Sequence, residues 1–82
     1  MKVQAEVSIY PLKERSLSGP IEEFCGILNS RHLAVETKSM GTFVSGELSD
    51  LFGALEEAFT KSAEKHRIVM DLKVSNACPQ DE

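Results

Sequence analysis

The chain has 82 residues, a net charge of −4 and a hydrophobic share of 41%. This length predicts a single domain over residues 1–82 with ordinary globular composition. A negative net charge argues against nucleic acid as a partner, because phosphate-backbone affinity comes from clustered Lys and Arg. No stretch approaches the roughly 18–20 apolar residues of a membrane span, and the N-terminal residues lack the apolar core of a signal peptide. We therefore expect a cytoplasmic protein that binds neither nucleic acid nor a membrane.

The first half of the chain predicts a strand and then a helix. Apolar and polar residues alternate over residues 2–10, which is typical of a half-buried strand, and Pro11 ends this run. Gly19-Pro20 opens the helix, because Pro suits the first helical position, and Asn29-Ser30 ends it. The helix carries an apolar stripe that consists of Ile21, Phe24, Cys25, Ile27 and Leu28.

The second half predicts two strands, a helix and a last strand. Residues 33–38 form a short strand whose Lys and Glu are typical of a sheet edge, and residues 42–47 form the next strand. Ser49 is the predicted N-cap of the second helix, which ends near His66. Its expected apolar face is Leu51, Leu55, Phe59 and Ala63. Residues 68–74 alternate again and predict the fourth strand.

The element order β-α-β-β-α-β predicts an α+β fold, the ferredoxin-like sandwich. Right-handed crossovers place both helices on one face of a four-stranded antiparallel sheet and make the first and third strands central neighbours. The other face is left bare. Residue parity assigns to the covered face Val3, Ala5, Val7, Ile9, Val44, Ile68, Met70, Leu72 and Val74. It assigns to the bare face Gln4, Glu6, Ser8, Tyr10, Phe43, Ser45, Val69, Asp71 and Lys73. The bare face is either a solvated surface or a docking surface for another subunit.

A threonine in the third strand is the first candidate for a binding site. Thr42 shares parity with Val44, so its hydroxyl turns toward the apolar layer, where an unpartnered hydroxyl costs about 1–3 kcal/mol. Either a local backbone bond or a ligand could satisfy it. Antiparallel pairing should place Thr42 near Ile9, with Met40 and Tyr10 at the rim. Two apolar side chains, a phenol and a hydroxyl suit a flat heteroaromatic ring.

Catalytic and metal-binding motifs are missing from the sequence. It contains no HExxH, P-loop or GxGxxG, its serines have no neighbouring His in a triad arrangement, and Arg15 lacks the glycine-rich loop of small ferredoxin-like hydrolases. Cys25 and Cys78 form no CxxC, and we expect a buried and a free thiol. RNA-recognition modules share the element order, but the basic start and second aromatic of their third-strand motif are missing. We expect no enzyme, no cofactor and no metal.

Three segments together resemble the YkoF-like thiamine/hydroxymethylpyrimidine-binding family. They are VSIYPL (7–12), MGTFVSGELSDLFGALEEAF (40–59) and VMDLKVSNACP (69–79). The resemblance implies a ferredoxin-like fold and a non-catalytic protein that binds thiamine or its pyrimidine part. In the family the end of the first strand and the threonine of the third contribute to the ligand site, which here implies Ile9 and Thr42. Proximity adds Ser8, Tyr10, Met40 and Ser45.

The resemblance also bears on assembly. Some family members carry two such domains in tandem, and this chain has one, so we expect it to form a homo-oligomer, either a dimer or a tetramer. Single-domain relatives often have Glu at the position of Ser45. The alternative function is a structural or regulatory homo-oligomer that binds no small molecule.

Overall fold

All six predicted elements are present in the predicted order in the computed structural model, which describes residues 1–13 and 18–77. They are β1 (Lys2–Pro11), α1 (Ser18–Asn29), β2 (Ala34–Lys38), β3 (Gly41–Glu47), α2 (Leu48–Lys65) and β4 (Ile68–Ser75). Neither of the two helices in this part of the chain has the length and hydropathy needed to cross a bilayer. The α+β ferredoxin-like fold is confirmed.

The four strands form one antiparallel sheet in the order β2-β3-β1-β4, so β1 and β3 are central, as predicted. Val7 lies opposite Thr42, and Ile9 lies opposite Met70. β1 pairs with β3 only as far as Val7 but with β4 as far as Pro11. In the described residues, β1 beyond Val7 therefore has a strand neighbour on one side only. We call the space on the other side the end notch.

The core lies between the covered face of the sheet and the two helices. It consists of Val3, Ala5, Val7, Ile9, Phe24, Leu28, Val44, Leu51, Ala54, Leu55 and Ala58. The buried face of α2 differs from the prediction, because Phe59 is only half-buried and Ala63 is exposed. A helix turns every 3.6 residues, so a strict four-residue repeat drifts off the face, and Ala58 and Ser62 are buried instead.

Both helices begin earlier than predicted. α1 begins at Ser18, so Pro20 lies within its first turn rather than at its first position. Glu47, not Ser49, is the N-cap of α2 and makes no side-chain capping bond. Because β3 runs into α2 without a loop, the β1–β3 pairing determines where the helix starts. The backbone N–H of Leu48 donates to the carbonyl of Met1 at 2.9 Å.

The carboxylate of Glu47 has a different role from capping. It accepts a hydrogen bond from the N-terminal ammonium of Met1 at 2.9 Å. This bond and the positive charge of the ammonium lower the pKa of Glu47 below its ordinary value. The pair ties the start of β1 to the end of β3.

Candidate ligand-binding site

A cavity of about 320 Å³ occupies the end notch. Three parts of the fold form its walls: residues 7–10 of β1, residues 37–42 of the β2–β3 hairpin, and Ile21, Phe24 and Cys25 of α1. Its volume falls at the lower end of the range for small-molecule sites. The cavity therefore has room for a ligand about the size of one substituted ring.

Five of the six predicted site residues line this cavity. Ile9 and Thr42 are buried in its inner wall, whereas Tyr10 is 50% and Met40 83% exposed at the rim. The register sets Thr42 opposite Val7 rather than Ile9, and Ile9 follows two residues further along the same face. The structure thus brings the predicted strand-one and strand-three positions together at one end of the sheet.

The sixth predicted residue, Ser45, does not lie in this cavity. It pairs with Gln4 and Ala34 on the bare face. Ser45 is three positions from Thr42, and side chains on a strand alternate between faces, so the two hydroxyls point in opposite directions. Ser45 therefore does not contribute to the cavity that Thr42 lines, and its role in ligand binding stays a prediction.

The hydroxyl of Thr42 has only a weak partner. Thr42 is 6% exposed, and within residues 1–13 and 18–77 its oxygen forms a hydrogen bond with Cys25 Sγ at 3.5 Å. The local backbone bond considered from the sequence is not formed there. Sulfur is a weak donor and a weak acceptor. The hydroxyl therefore keeps most of its capacity for a stronger partner that enters the cavity.

Sequence analysis missed Cys25 and Thr37 as cavity residues. Cys25 was assigned to the apolar stripe as a buried thiol, but it is half-buried, free and part of the wall. The Thr37 hydroxyl donates to Cys25 Sγ at 3.9 Å. The hairpin loop has two residues, Ser39 and Met40, and this length sets Thr37 opposite Thr42. The sequence predicted strands over residues 33–38 and 42–47, which leaves three residues between them. A two-residue loop would have placed Thr37 beside Thr42 and therefore in the cavity. Cys78 lies outside the described residues.

A glycine allows the hairpin to close against β1 at the cavity mouth. Gly41 has a φ of +157°, and an added Cβ would lie 2.9 Å from Ser8 Oγ and 3.4 Å from the carbonyl of Val7. The Ser8 hydroxyl donates to the Met40 carbonyl at 3.4 Å. A side chain at position 41 would thus push the hairpin away from β1 and widen the mouth.

The cavity lining is mostly apolar and almost uncharged. Of the residues in this lining, only Lys38 carries a full charge, and its ammonium pairs with Glu36 at 2.7 Å. Along β1 beyond Val7, every second residue points its backbone N–H and C=O toward the notch. The site can thus offer peptide donors and acceptors, hydroxyls, a thiol and apolar walls. This chemistry suits binding of a neutral polar ring better than acid–base catalysis.

A second hollow of about 700 Å³ lies on the bare face, where Gln4, Glu6, Phe43, Ser45 and Lys73 contribute to it. It is larger than the notch cavity, but only the sheet bounds it. Its side chains already face solvent, as the 44% exposure of Phe43 shows. We therefore take the smaller cavity, with its buried and weakly bonded hydroxyl, as the ligand-binding candidate.

Fold and cavity together define a small ferredoxin-like domain with a ring-sized hollow at one end of its sheet. The family model described as "Thiamine-binding protein" matches residues 5–78. The chain belongs to this family, and its resemblance to YkoF-like proteins is confirmed.

Individual relatives agree with this assignment. UPF0045 protein MJ1052 of Methanocaldococcus jannaschii is 39% identical over 75 residues, which cover 89% of this chain and 75% of that protein. Its crystal structure has a TM-score of 0.86 at 35% identity and covers 95% of this chain and 82% of that one. A candidate thiamine biosynthesis/salvage protein of Thermotoga maritima, TM0486, has a TM-score of 0.82 at 21% identity, covering 92% of this chain and 83% of that one. At that identity the likeness shows the fold alone.

Proposed function

We propose that this chain is a non-catalytic cytoplasmic binding protein for thiamine or its hydroxymethylpyrimidine part. Membership of the thiamine-binding family supports a ligand of this type. The observation that carries the proposal is the buried hydroxyl of Thr42, whose partner in the described structure is a thiol 3.5 Å away. A ring with donor and acceptor atoms at its edge would replace this weak bond by a stronger one.

An aminopyrimidine complements the end notch. Its amino group donates and the adjacent ring nitrogen accepts, which matches the C=O and N–H groups on the unpaired side of β1. Ile9 and Phe24 supply apolar surface for the faces of the ring, and Thr42 supplies a hydroxyl at its edge. The notch would thus recognise the pyrimidine part of thiamine.

The charge of the lining favours the same part of the ligand. Thiamine also carries a cationic thiazolium ring, and the described lining contains no carboxylate to pair with that charge. Burying an unpaired cation is unfavourable. We therefore place the thiazolium ring outside the cavity, beside the exposed Tyr10 and Met40.

Titration calorimetry with separate fragments tests this proposal. We expect thiamine and free hydroxymethylpyrimidine to bind with similar affinity, and the thiazole alcohol fragment not to bind. The matched control ligand is the same pyrimidine without its amino group, which should bind more weakly. Thiamine recovered unchanged after long incubation would support a non-catalytic role. Absence of binding by either pyrimidine at millimolar concentration would refute the ligand assignment.

A homo-oligomer without a small-molecule ligand is the second candidate function. The observation that favours it is the bare face, where Phe43 is 44% and Val69 49% exposed. Under this alternative the chain would be a dimer or a tetramer and its melting temperature would not change with thiamine. A melting screen against thiamine and its fragments separates the two candidates.

A further inference from the structure

Three side chains in the wall of the notch cavity form a chain of hydrogen bonds. The Thr37 hydroxyl donates to Cys25 Sγ at 3.9 Å, and Cys25 Sγ lies 3.5 Å from Thr42 Oγ1. The three residues come from β2, α1 and β3, and all of them line the cavity. Thr37 is exposed whereas Thr42 is 6% exposed, so the chain leads from the solvent to the buried hydroxyl.

The hydrogen atoms of this chain determine what Thr42 can offer a ligand. Each hydroxyl and the thiol has one hydrogen to donate, and Thr37 donates its hydrogen to the sulfur. If Thr42 also donated to the sulfur, the S–H group would have no acceptor within residues 1–13 and 18–77. If the S–H group donates to Thr42 Oγ1 instead, the Thr42 O–H group is free to donate into the cavity.

We propose that Cys25 orients the Thr42 hydroxyl as a hydrogen-bond donor, so that the cavity selects ligands that present an acceptor atom to Thr42. The proposal rests on the proposed function, because it concerns a ligand in the same cavity. With an acceptor bound, every hydrogen of the chain has a partner, and successive bonds strengthen one another. A ligand that donates to Thr42 would turn this hydroxyl back toward the sulfur and leave the S–H group unpaired, which is unfavourable in a mostly apolar site.

The main chain of β1 supplies the other polar contacts of the cavity. The N–H of Leu48 donates to the carbonyl of Met1 at 2.9 Å on the β3 side, and the N–H of Leu12 donates to the carbonyl of Arg67 at 2.8 Å on the β4 side. Backbone groups alternate between the two sides of a strand. Odd-numbered residues of β1 therefore face β3 or, beyond the end of β3, the end notch. Ile9 thus presents both its N–H and its C=O to the notch.

These groups together define the ligand by its pattern of donors and acceptors. The N–H and C=O of Ile9 require an acceptor and a neighbouring donor, and Thr42 requires a second acceptor. Hydroxymethylpyrimidine has one amino donor and three acceptors, which are its two ring nitrogens and the oxygen of its hydroxymethyl group. A ring that lacks the acceptor opposite Thr42 should therefore bind about fivefold more weakly.

Three analogues of hydroxymethylpyrimidine, each without one acceptor, test which atom Thr42 contacts. Two are the aminopyridines in which one or the other ring nitrogen is replaced by C–H, and the third has methyl in place of hydroxymethyl. We expect Thr42→Val to lower the affinity for hydroxymethylpyrimidine and for two of the analogues by about fivefold in titration calorimetry. The remaining analogue already lacks the partner of Thr42, so its affinity should be the same for wild type and variant.

Cys25→Ala tests the role of the thiol as a positioning group. We expect it to lower the affinity for hydroxymethylpyrimidine roughly twofold and to leave the affinity for that same remaining analogue unchanged. In the Thr42→Val background, Cys25→Ala should have no further effect, because the two residues act through one hydroxyl. The matched control is Ile21→Val, which shortens another side chain of α1 in the same wall and should change the affinity for all four ligands alike.

The outcomes separate this inference from the proposed function. If hydroxymethylpyrimidine does not bind to wild type, both fail. If it binds but Thr42→Val weakens all four ligands alike, Thr42 donates to no ligand acceptor and the inference alone is overturned. If Cys25→Ala also weakens all four ligands alike, as Ile21→Val does, the thiol only shapes the wall and its positioning role is overturned. Circular dichroism should show that each variant is folded.

Discussion

Replacing Thr42 by Val removes one hydroxyl from the wall of the notch cavity and leaves its shape almost unchanged. In the free protein this hydroxyl is bonded to Cys25 Sγ at 3.5 Å and is 6% exposed. Because sulfur is a weak partner, we expect the free energy of unfolding to change by less than about 0.5 kcal/mol. A ligand would lose one neutral hydrogen bond, worth about 1 kcal/mol. This corresponds to roughly a fivefold loss of affinity.

Calorimetry with hydroxymethylpyrimidine measures the affinity, and urea unfolding without ligand measures the stability. Thr60→Val, at an exposed position of α2, is the matched control and should leave affinity unchanged. An unchanged affinity of Thr42→Val would show that the hydroxyl does not contact the ligand. A loss of stability above about 2 kcal/mol would show that the hydroxyl supports the free fold instead.

Three further predictions concern single residues. Ser62→Ala should raise the free energy of unfolding, measured in urea, by about 1 kcal/mol. The buried hydroxyl of Ser62 has no hydrogen-bond partner among the described residues, and Ala is the better helix former. A lower free energy of unfolding would contradict this prediction. Saturating hydroxymethylpyrimidine should slow the alkylation of Cys25 by iodoacetamide. Peptide mapping would follow both cysteines, with Cys78 as the internal reference. If Cys25 is alkylated at the same rate with and without ligand, the ligand binds elsewhere. Because the Met1 ammonium lowers the pKa of Glu47, the ion pair between them stabilises the fold at neutral pH. This stabilisation is lost as the pH falls below 4.5 and through the pKa that Glu47 has in the folded protein. Glu47→Gln should therefore lower the melting temperature at neutral pH, with a difference from wild type that shrinks in acid.

The strands and their faces were predictable because a period of two is a local property of the sequence. Alternation over residues 2–10 assigned Val7 and Ile9 to the core and Glu6 to the bare face, and the structure agrees. Helix starts were less predictable. Ser49 looks like an N-cap locally, but α2 begins where the pairing of β1 with β3 ends. The buried face of α2 was also misplaced, because its sheet and helix neighbours decide which positions are covered.

The sequence by itself determined the element order, the two faces of the sheet and the inward orientation of the Thr42 hydroxyl, since each follows from spacing along one strand or helix. Only the tertiary structure decided what surrounds that hydroxyl. Cys25 comes from α1 and Thr37 from the neighbouring strand, and the two-residue hairpin loop fixes the register that brings them together. The sheet register likewise decides which residues of the four strands lie side by side. Distances between elements depend on packing and register, and a pattern read along one element does not contain them.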